Sequence, residues 1–301
     1  MELSDKKFAV LIDADNISHR KIKDILDEIA NYGTPTIKRI YGDFTDPKFA
    51  AWKSVLLENS ITPIQQYAYT TGKNATDSAL IIDAMDILHK ESVNGFCIVS
   101  SDSDYTRLAS RIRESGREVL GFGEKKTPKP FIKSCDKFIY VEILGQPAPA
   151  PAPVSAPAQT AAAVPAAKAA TPKKTAKKHQ GRNAPETDMP EAAPAEPAAA
   201  EKKVAPAPDT AQPQPIIRPI DDDFKTLLAN TIEDAADDSG WAFLGIVGGG
   251  LTKKMPDFDP RNYGYKKLSL LVKSLSKIVE IEERPSENKE LKLVYVRNRI
   301  R

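Results

Sequence analysis

Between Pro147 and Pro215 the chain loses the side chains from which a core is built: 15 of its 24 prolines fall there, interleaved with alanine. Pro-Ala alternation favours an extended, polyproline-like backbone that spaces modules apart. The sequence therefore divides into a module at 1–146, a disordered linker at 147–215 and a smaller module at 216–301. Within the linker, Lys173, Lys174, Lys177, Lys178 and Arg182 form a basic island, read either as a solubilising charge run or as a weak phosphate contact.

The flanking modules have ordinary globular composition, and the chain's net charge of +2 is nearly balanced within each of them. Charge alone thus announces no nucleic-acid partner, and any such reading must come from local motifs. The start, MELSDKKFAVLIDAD, lacks the layout of a secretory signal, and no apolar run reaches membrane-spanning length. A soluble cytoplasmic protein with no membrane partner is expected. Cys97 and Cys135 have no spacing for zinc or a disulfide framework and read as reduced thiols.

In the first module short apolar runs alternate with helical patterns. KFAVLID (7–13), TIKRIYG, TPIQQYAY, GFCIVSS and REVLGFG read as strands. Between them, Ile22, Ile25, Leu26 and Ile29 share one helical face, and PKFAAWKSVLLEN, DSALIIDAMDILHK and DYTRLASRIRES read as further helices. Repeated βα units imply an α/β fold with a mostly parallel sheet and helices on both faces. Ligands of such sheets sit at the carboxyl ends of the strands.

That rule gives the acids meaning. Asp13 ends the first strand, Asp43 follows the second, Asp102 and Asp104 follow GFCIVSS, and Asp77 opens a helix. Five carboxylates converging on one sheet edge repel one another unless a cation sits among them, and Mg²⁺ or Mn²⁺ suits an all-oxygen site. A metal-dependent phosphodiesterase follows, with hydrolysis by water rather than by a protein nucleophile. His19, His89 and His179 supply no triad or dyad. Taken singly, Asp77, Asp102 and Asp104 read equally well as helix caps. Asp15 and Asn16 shape the first βα turn, where Asn16 could also bond a ligand. Asp83, six positions beyond Asp77 on the same helix, reaches such a cluster only indirectly. Lys73, Arg107 and Arg111 are candidates for a basic rim facing substrate, the two arginines sharing a helix face at i,i+4.

LIDADNIS, the K-x-x-x-D of Lys73 to Asp77, and IVSSDSDYTRLASRIRESG resemble the signature blocks of the NYN family of PIN-like nucleases, over roughly residues 6–142. The resemblance implies a divalent-metal ribonuclease in which Asp13, Asp77, Asp102 and Asp104 are the metal-binding and catalytic acids. Asn16 matches the adjacent polar position and Asp43 a less constant acid. Ser101 departs from the glycine common before the paired acids.

After the linker, DDDFKTLLANTIEDAADDSG and WAFLGIVGGGLTKKM read as helices, the second leaving through its glycines. DPRNYGYKKLSLLVKSLSKI reads as one amphipathic helix, and the remainder as two strands joined by a polar turn. Helices followed by a hairpin predict a small winged-helix (α+β) domain. GWAFLGIVGGGLTKKMPDFDPRNYGYKKLSLLVKSL resembles the OST-HTH, or LOTUS, domain, which implies RNA binding or a protein partner. Lys253, Lys254, Arg261, Tyr263, Tyr265, Lys266 and Lys267 interleave cations with aromatics and are the expected RNA contacts, although Trp241, Phe258 and Tyr263 also suit a core. Three functions stay open: a two-module ribonuclease, an RNA-binding regulator without useful turnover, and a phosphatase built on the D-x-D of Asp13 and Asp15.

Overall fold

The computed structural model describes residues 6–67, 75–145, 218–285 and 292–299. The expected linker at 147–215 with its basic island, and Lys73, lie outside these residues.

Six strands form one parallel sheet: β1 (Lys7–Asp13), β2 (Thr34–Gly42), β3 (Thr62–Gln65), β4 (Gly95–Val99), β5 (Glu118–Gly123) and β6 (Lys137–Tyr140), in the order β3-β2-β1-β4-β5-β6. Parallel sheets need cover on both faces, and the sequence complies: β4 is buried at all five positions and β1 at six of seven. The covering helices are α1 (Ile22–Ile29), α2 (Trp52–Glu58), α3 (Ala75–Lys90), α4 (Thr106–Glu114) and α5 (Lys129–Ser134). Neither α5 nor β6 is readable in the sequence. Both are short, six and four residues, and too brief to develop a readable period. Cys97 and Cys135 are buried free thiols in this core.

The sequential order reverses at β1, whose neighbours are β2 and β4. The crevice beyond the carboxyl ends of β1 and β4 is the topological switch point, where open α/β sheets bind ligands.

The C-terminal module combines α6 (Asp222–Ala235), α7 (Leu244–Lys254) and α8 (Leu268–Ser274) with a three-stranded antiparallel sheet of β7 (Ala242–Phe243), β8 (Val279–Pro285) and β9 (Lys292–Asn298). Its core gathers Phe224, Leu228, Ile232, Val247, Leu271 and Val296. Two expectations need correction. The glycines at 248–250 lie inside α7 and do not end it; a side chain on Gly250 would meet Thr231 Cγ2 at 2.7 Å, so α6 and α7 approach through this gap. The helix expected across DPRNYGYKKLSLLVKSLSKI is broken, because Gly264 takes a left-handed φ of 83° between a short 3-10 turn at Pro260–Tyr263 and α8.

Although the linker composition led us to expect separated modules, the described parts on its two sides group as one compact unit. The Phe138 amide donates to Pro256 O at 2.9 Å, extending the β6 edge onto the C-terminal module. Arg218 and Tyr140 both bond Asp257 Oδ2, at 2.8 and 2.9 Å. The Arg261 guanidinium forks onto both Glu28 carboxylate oxygens, at 2.8 and 3.0 Å, while also bonding Asp259. Among the described residues no helix is long and apolar enough to cross a membrane.

Candidate metal centre

At the switch point the adjacency of β1 and β4 brings together the turns that follow them. Asp77, in the first turn of α3, meets Asp102 and Asp104 from the turn after β4, one carboxylate oxygen of each lying within 4.8 Å of the others. Burial raises the Asp77 carboxyl above its ordinary pKa, and the charges of Asp102 and Asp104 push the same way against a hydrogen bond from Tyr105. Gathered carboxylates of this kind could hold a hard cation, for which an all-oxygen donor set is suited.

Membership of this acid group does not stop Asp102 from acting as a cap. Asp102 Oδ1 accepts from Asp104 N at 2.9 Å and so starts the 3-10 turn Ser103–Tyr105 that leads into α4. The cap holds the Asp102 side chain where it meets Asp77 and Asp104.

Asp13 is fully buried beneath this group. Its Oδ2 accepts from Asn16 Nδ2 at 2.7 Å and from Ser100 Oγ at 2.8 Å, and its Oδ1 accepts from Asp15 N at 3.0 Å. Burial raises its pKa despite those bonds. Two residues that sequence reasoning passed over connect it to the others. Ser100 Oγ also accepts from Asp102 N at 3.0 Å, and Tyr105 Oη donates to Asp77 Oδ1 at 2.6 Å while lying 3.5 Å from Asp13 Oδ2. Both stand inside SSDSDY, and their proximity to the paired acids was the available signal.

Other expected members lie elsewhere. Asp43 is outside the group; its Oδ1 accepts from Thr45 Oγ1 at 2.5 Å and Gln65 Nε2 at 2.7 Å, which organises the turn after β2. Asp83 bonds Arg39 and Tyr41, and Asp15 pairs with Lys48 at 2.9 Å. Arg107 reaches Glu114 at 3.6 Å, and Arg111 donates to Ser115 Oγ at 2.7 Å. Ser101 Oγ accepts from Glu124 N at 2.9 Å, giving this serine a task that glycine has no side chain to perform.

In the C-terminal module the Arg261 guanidinium is committed to Glu28 and Asp259. Tyr263 is buried in the core, its ring 4.7 Å from that of Phe224, so it offers no face for stacking. Phe258 is buried with them, whereas Trp241 is half-buried under the Arg297 and Arg284 guanidiniums, at 4.7 and 5.3 Å from its ring. Lys254 pairs with Asp234 at 2.5 Å. Tyr265 packs at the edge of the core, and Lys253, Lys266 and Lys267 are exposed.

Comparison with known families follows this division: residues 7–143 match the NYN domain and residues 215–291 the OST-HTH/LOTUS domain. The chain joins an NYN domain to an OST-HTH/LOTUS domain. The acid group lies wholly within the NYN domain, whose six-stranded sheet has the PIN-like α/β form.

Two solved structures are similar. A solution NMR structure of an uncharacterized protein from Nitrosomonas europaea is 35% identical, with 34% of this chain and 94% of that one covered and a TM-score of 0.26. A crystal structure of a protein of unknown function from Vibrio parahaemolyticus is 20% identical, with 46% and 96% covered and a TM-score of 0.39. No curated protein matches the chain.

Proposed function

We propose that the protein is a divalent-metal-dependent ribonuclease whose NYN domain hydrolyses RNA phosphodiester bonds and whose OST-HTH/LOTUS domain holds the RNA. The convergence of Asp77, Asp102 and Asp104 at the switch point of an NYN domain carries this reading. These three carboxylates hold Mg²⁺ or Mn²⁺, and Asp13 forms the floor of the site. Bound there, the cation supplies Lewis-acid stabilisation of charge on phosphoryl oxygens. Asn16 and Ser100 fix Asp13, Tyr105 fixes Asp77, and the cap to Asp104 N fixes Asp102. Such second contacts hold ligands in reactive geometry. The phosphatase alternative loses support, because Asp15, the second acid of the D-x-D, turns to Lys48.

The test is cleavage of a panel of RNAs by the purified full chain in Mn²⁺ or Mg²⁺, compared with EDTA and with Asp102→Asn. The wild type is expected to cut only with the cation and the variant not to cut. Equal degradation by both proteins overturns the enzyme reading; tight RNA binding without cleavage or cation binding favours the RNA-binding regulator.

A further inference from the structure

We propose that the groove formed where the two domains meet is a single-stranded RNA track leading to the acid site, so that binding depends on the domains being docked. The inference rests on the ribonuclease reading for its substrate and on separate residues for its geometry. A cleft of about 620 Å³ is lined by Lys125, Lys129, Lys133 and Tyr140 from the NYN domain and by Lys254 and Tyr263 from the other domain. A second cleft, about 570 Å³, shares Lys133 and Pro256 with the first and adds Lys253, Arg113 and Arg117. The shared residues make the two clefts neighbours along one path.

The charges of this path favour a polyanion. Three of its five acids are ion-paired, Asp257 with Arg218, Asp136 with Arg113 and Glu118 with Lys6, while Asp221 caps α6 and keeps its charge. Asp223 remains. Among the described residues, Lys125, Lys129, Lys133 and Lys253 are exposed and form no ion pair, so the unspent charge is positive on balance and distributed along the groove. Spaced cations along a groove are how proteins follow a nucleic-acid backbone without reading its sequence. The path also has a direction. The backbone amide of Glu124, beside Lys125, bonds Ser101, and Ser101 precedes Asp102. The Lys125 end of the groove is thus joined through Glu124 and Ser101 to the loop that carries the proposed cation ligands.

Neither wall makes the track alone. The domains are clasped by Arg261 on Glu28, with Lys137 half-buried nearby; partial burial lowers the Lys137 pKa, while the charges of Asp259 and Glu28 oppose that shift.

The test measures binding of a fluorescein-labelled oligouridylate of roughly 15 nucleotides to the full chain in EDTA, by anisotropy over a salt series. Lys129→Glu/Lys133→Glu/Lys253→Glu is expected to weaken binding at least about tenfold and to flatten the slope of log K against log salt by about 2, near 0.7 for each lost phosphate contact. These lysines are exposed, and a wild-type melting curve checks that the variant folds. Arg261→Glu is expected to weaken binding, and adding Glu28→Arg is expected to restore it. An unchanged affinity and salt slope in the folded triple variant overturns the track. Full affinity in Arg261→Glu overturns the dependence on docking. A chain that binds through these lysines but never cuts RNA sinks the ribonuclease reading and leaves the track standing; one that cuts while its triple variant binds normally does the reverse.

Discussion

Tyr105 Oη donates to Asp77 Oδ1 at 2.6 Å from a buried ring, so a neutral hydroxyl holds one carboxylate of the acid group in place. Tyr105→Phe keeps the ring and removes the bond. Mn²⁺ affinity by titration calorimetry, or the single-turnover cleavage rate, is expected to fall about 10- to 100-fold, the usual range for a contact that orients a ligand. Stability should drop by only about 1 kcal/mol. An unchanged Mn²⁺ affinity and rate would show that Asp77 needs no such support.

Asp102→Asn should make the cation-free chain more stable while ending its response to cations. Asparagine retains an oxygen to cap Asp104 N and removes one of three mutually repelling charges. In EDTA the expected gain is roughly 0.5–1 kcal/mol, or about 1–4 °C in Tm. Asp77 and Asp13 both have raised folded pKa values, so each costs stability at neutral pH, and that cost is relieved as pH falls through those values. The variant's advantage should therefore shrink toward acid. Calorimetric scans with and without Mn²⁺ check both statements; an identical Mn²⁺-induced rise in Tm for the two proteins contradicts them.

Arg261→Lys is not conservative at its position. The guanidinium serves Glu28 and Asp259 together through a fork that an ammonium cannot reproduce. Because Arg261 is partly exposed, the expected loss is about 1–2 kcal/mol and not the larger cost of breaking a fully buried pair. Urea unfolding of the full chain measures it, and loss of domain docking before global unfolding would appear as a second transition.

Two adjacent glycines of α7 should respond in opposite directions. A side chain on Gly249 meets nothing within 4 Å, so Gly249→Ala is expected to stabilise by roughly 0.5–1 kcal/mol through helix propensity. Gly250→Ala drives a carbon against Thr231 and should destabilise despite the same gain in propensity. Thermal melts of the two variants decide it; equal shifts would contradict the close approach of α6 and α7.

The thiols should be silent in the folded chain. Burial pushes the Cys135 thiol up to about 12 and Cys97 well above its ordinary value, so neither presents thiolate at pH 8. Slow labelling by a disulfide reagent in native buffer and complete labelling of both cysteines in guanidinium are expected. Fast native labelling of either one contradicts the burial.

The fold was legible where the chain repeats a period. KFAVLID and GFCIVSS announce buried parallel strands because both faces are covered, and their terminal acids follow from where the strands end. Asp77, Asp102 and Asp104 could be brought together from that rule alone, since each is anchored to an element end. Asp43 could not be excluded by the same rule: its neighbour Gln65 comes from another strand, and that hydrogen bond is invisible before the strands are aligned. Arg261 and Tyr263 misled for a related reason. A cation beside an aromatic looks the same in sequence whether it faces RNA or a second domain, and only packing reveals that Glu28, more than two hundred residues earlier, takes the arginine. Ser100 and Tyr105 were overlooked because their roles depend on hydrogen-bond direction, which residue spacing does not encode.

The placement of β1 between β2 and β4 has a consequence for synthesis. Asp13 is synthesised well before its hydroxyl partners Ser100 and Tyr105, which follow only with β4 and the turn beyond it. A nascent chain exposing only the first three strands carries one member of the acid constellation and none of the turn that completes it. The acid group is thereby assembled only once β1 and β4 lie side by side.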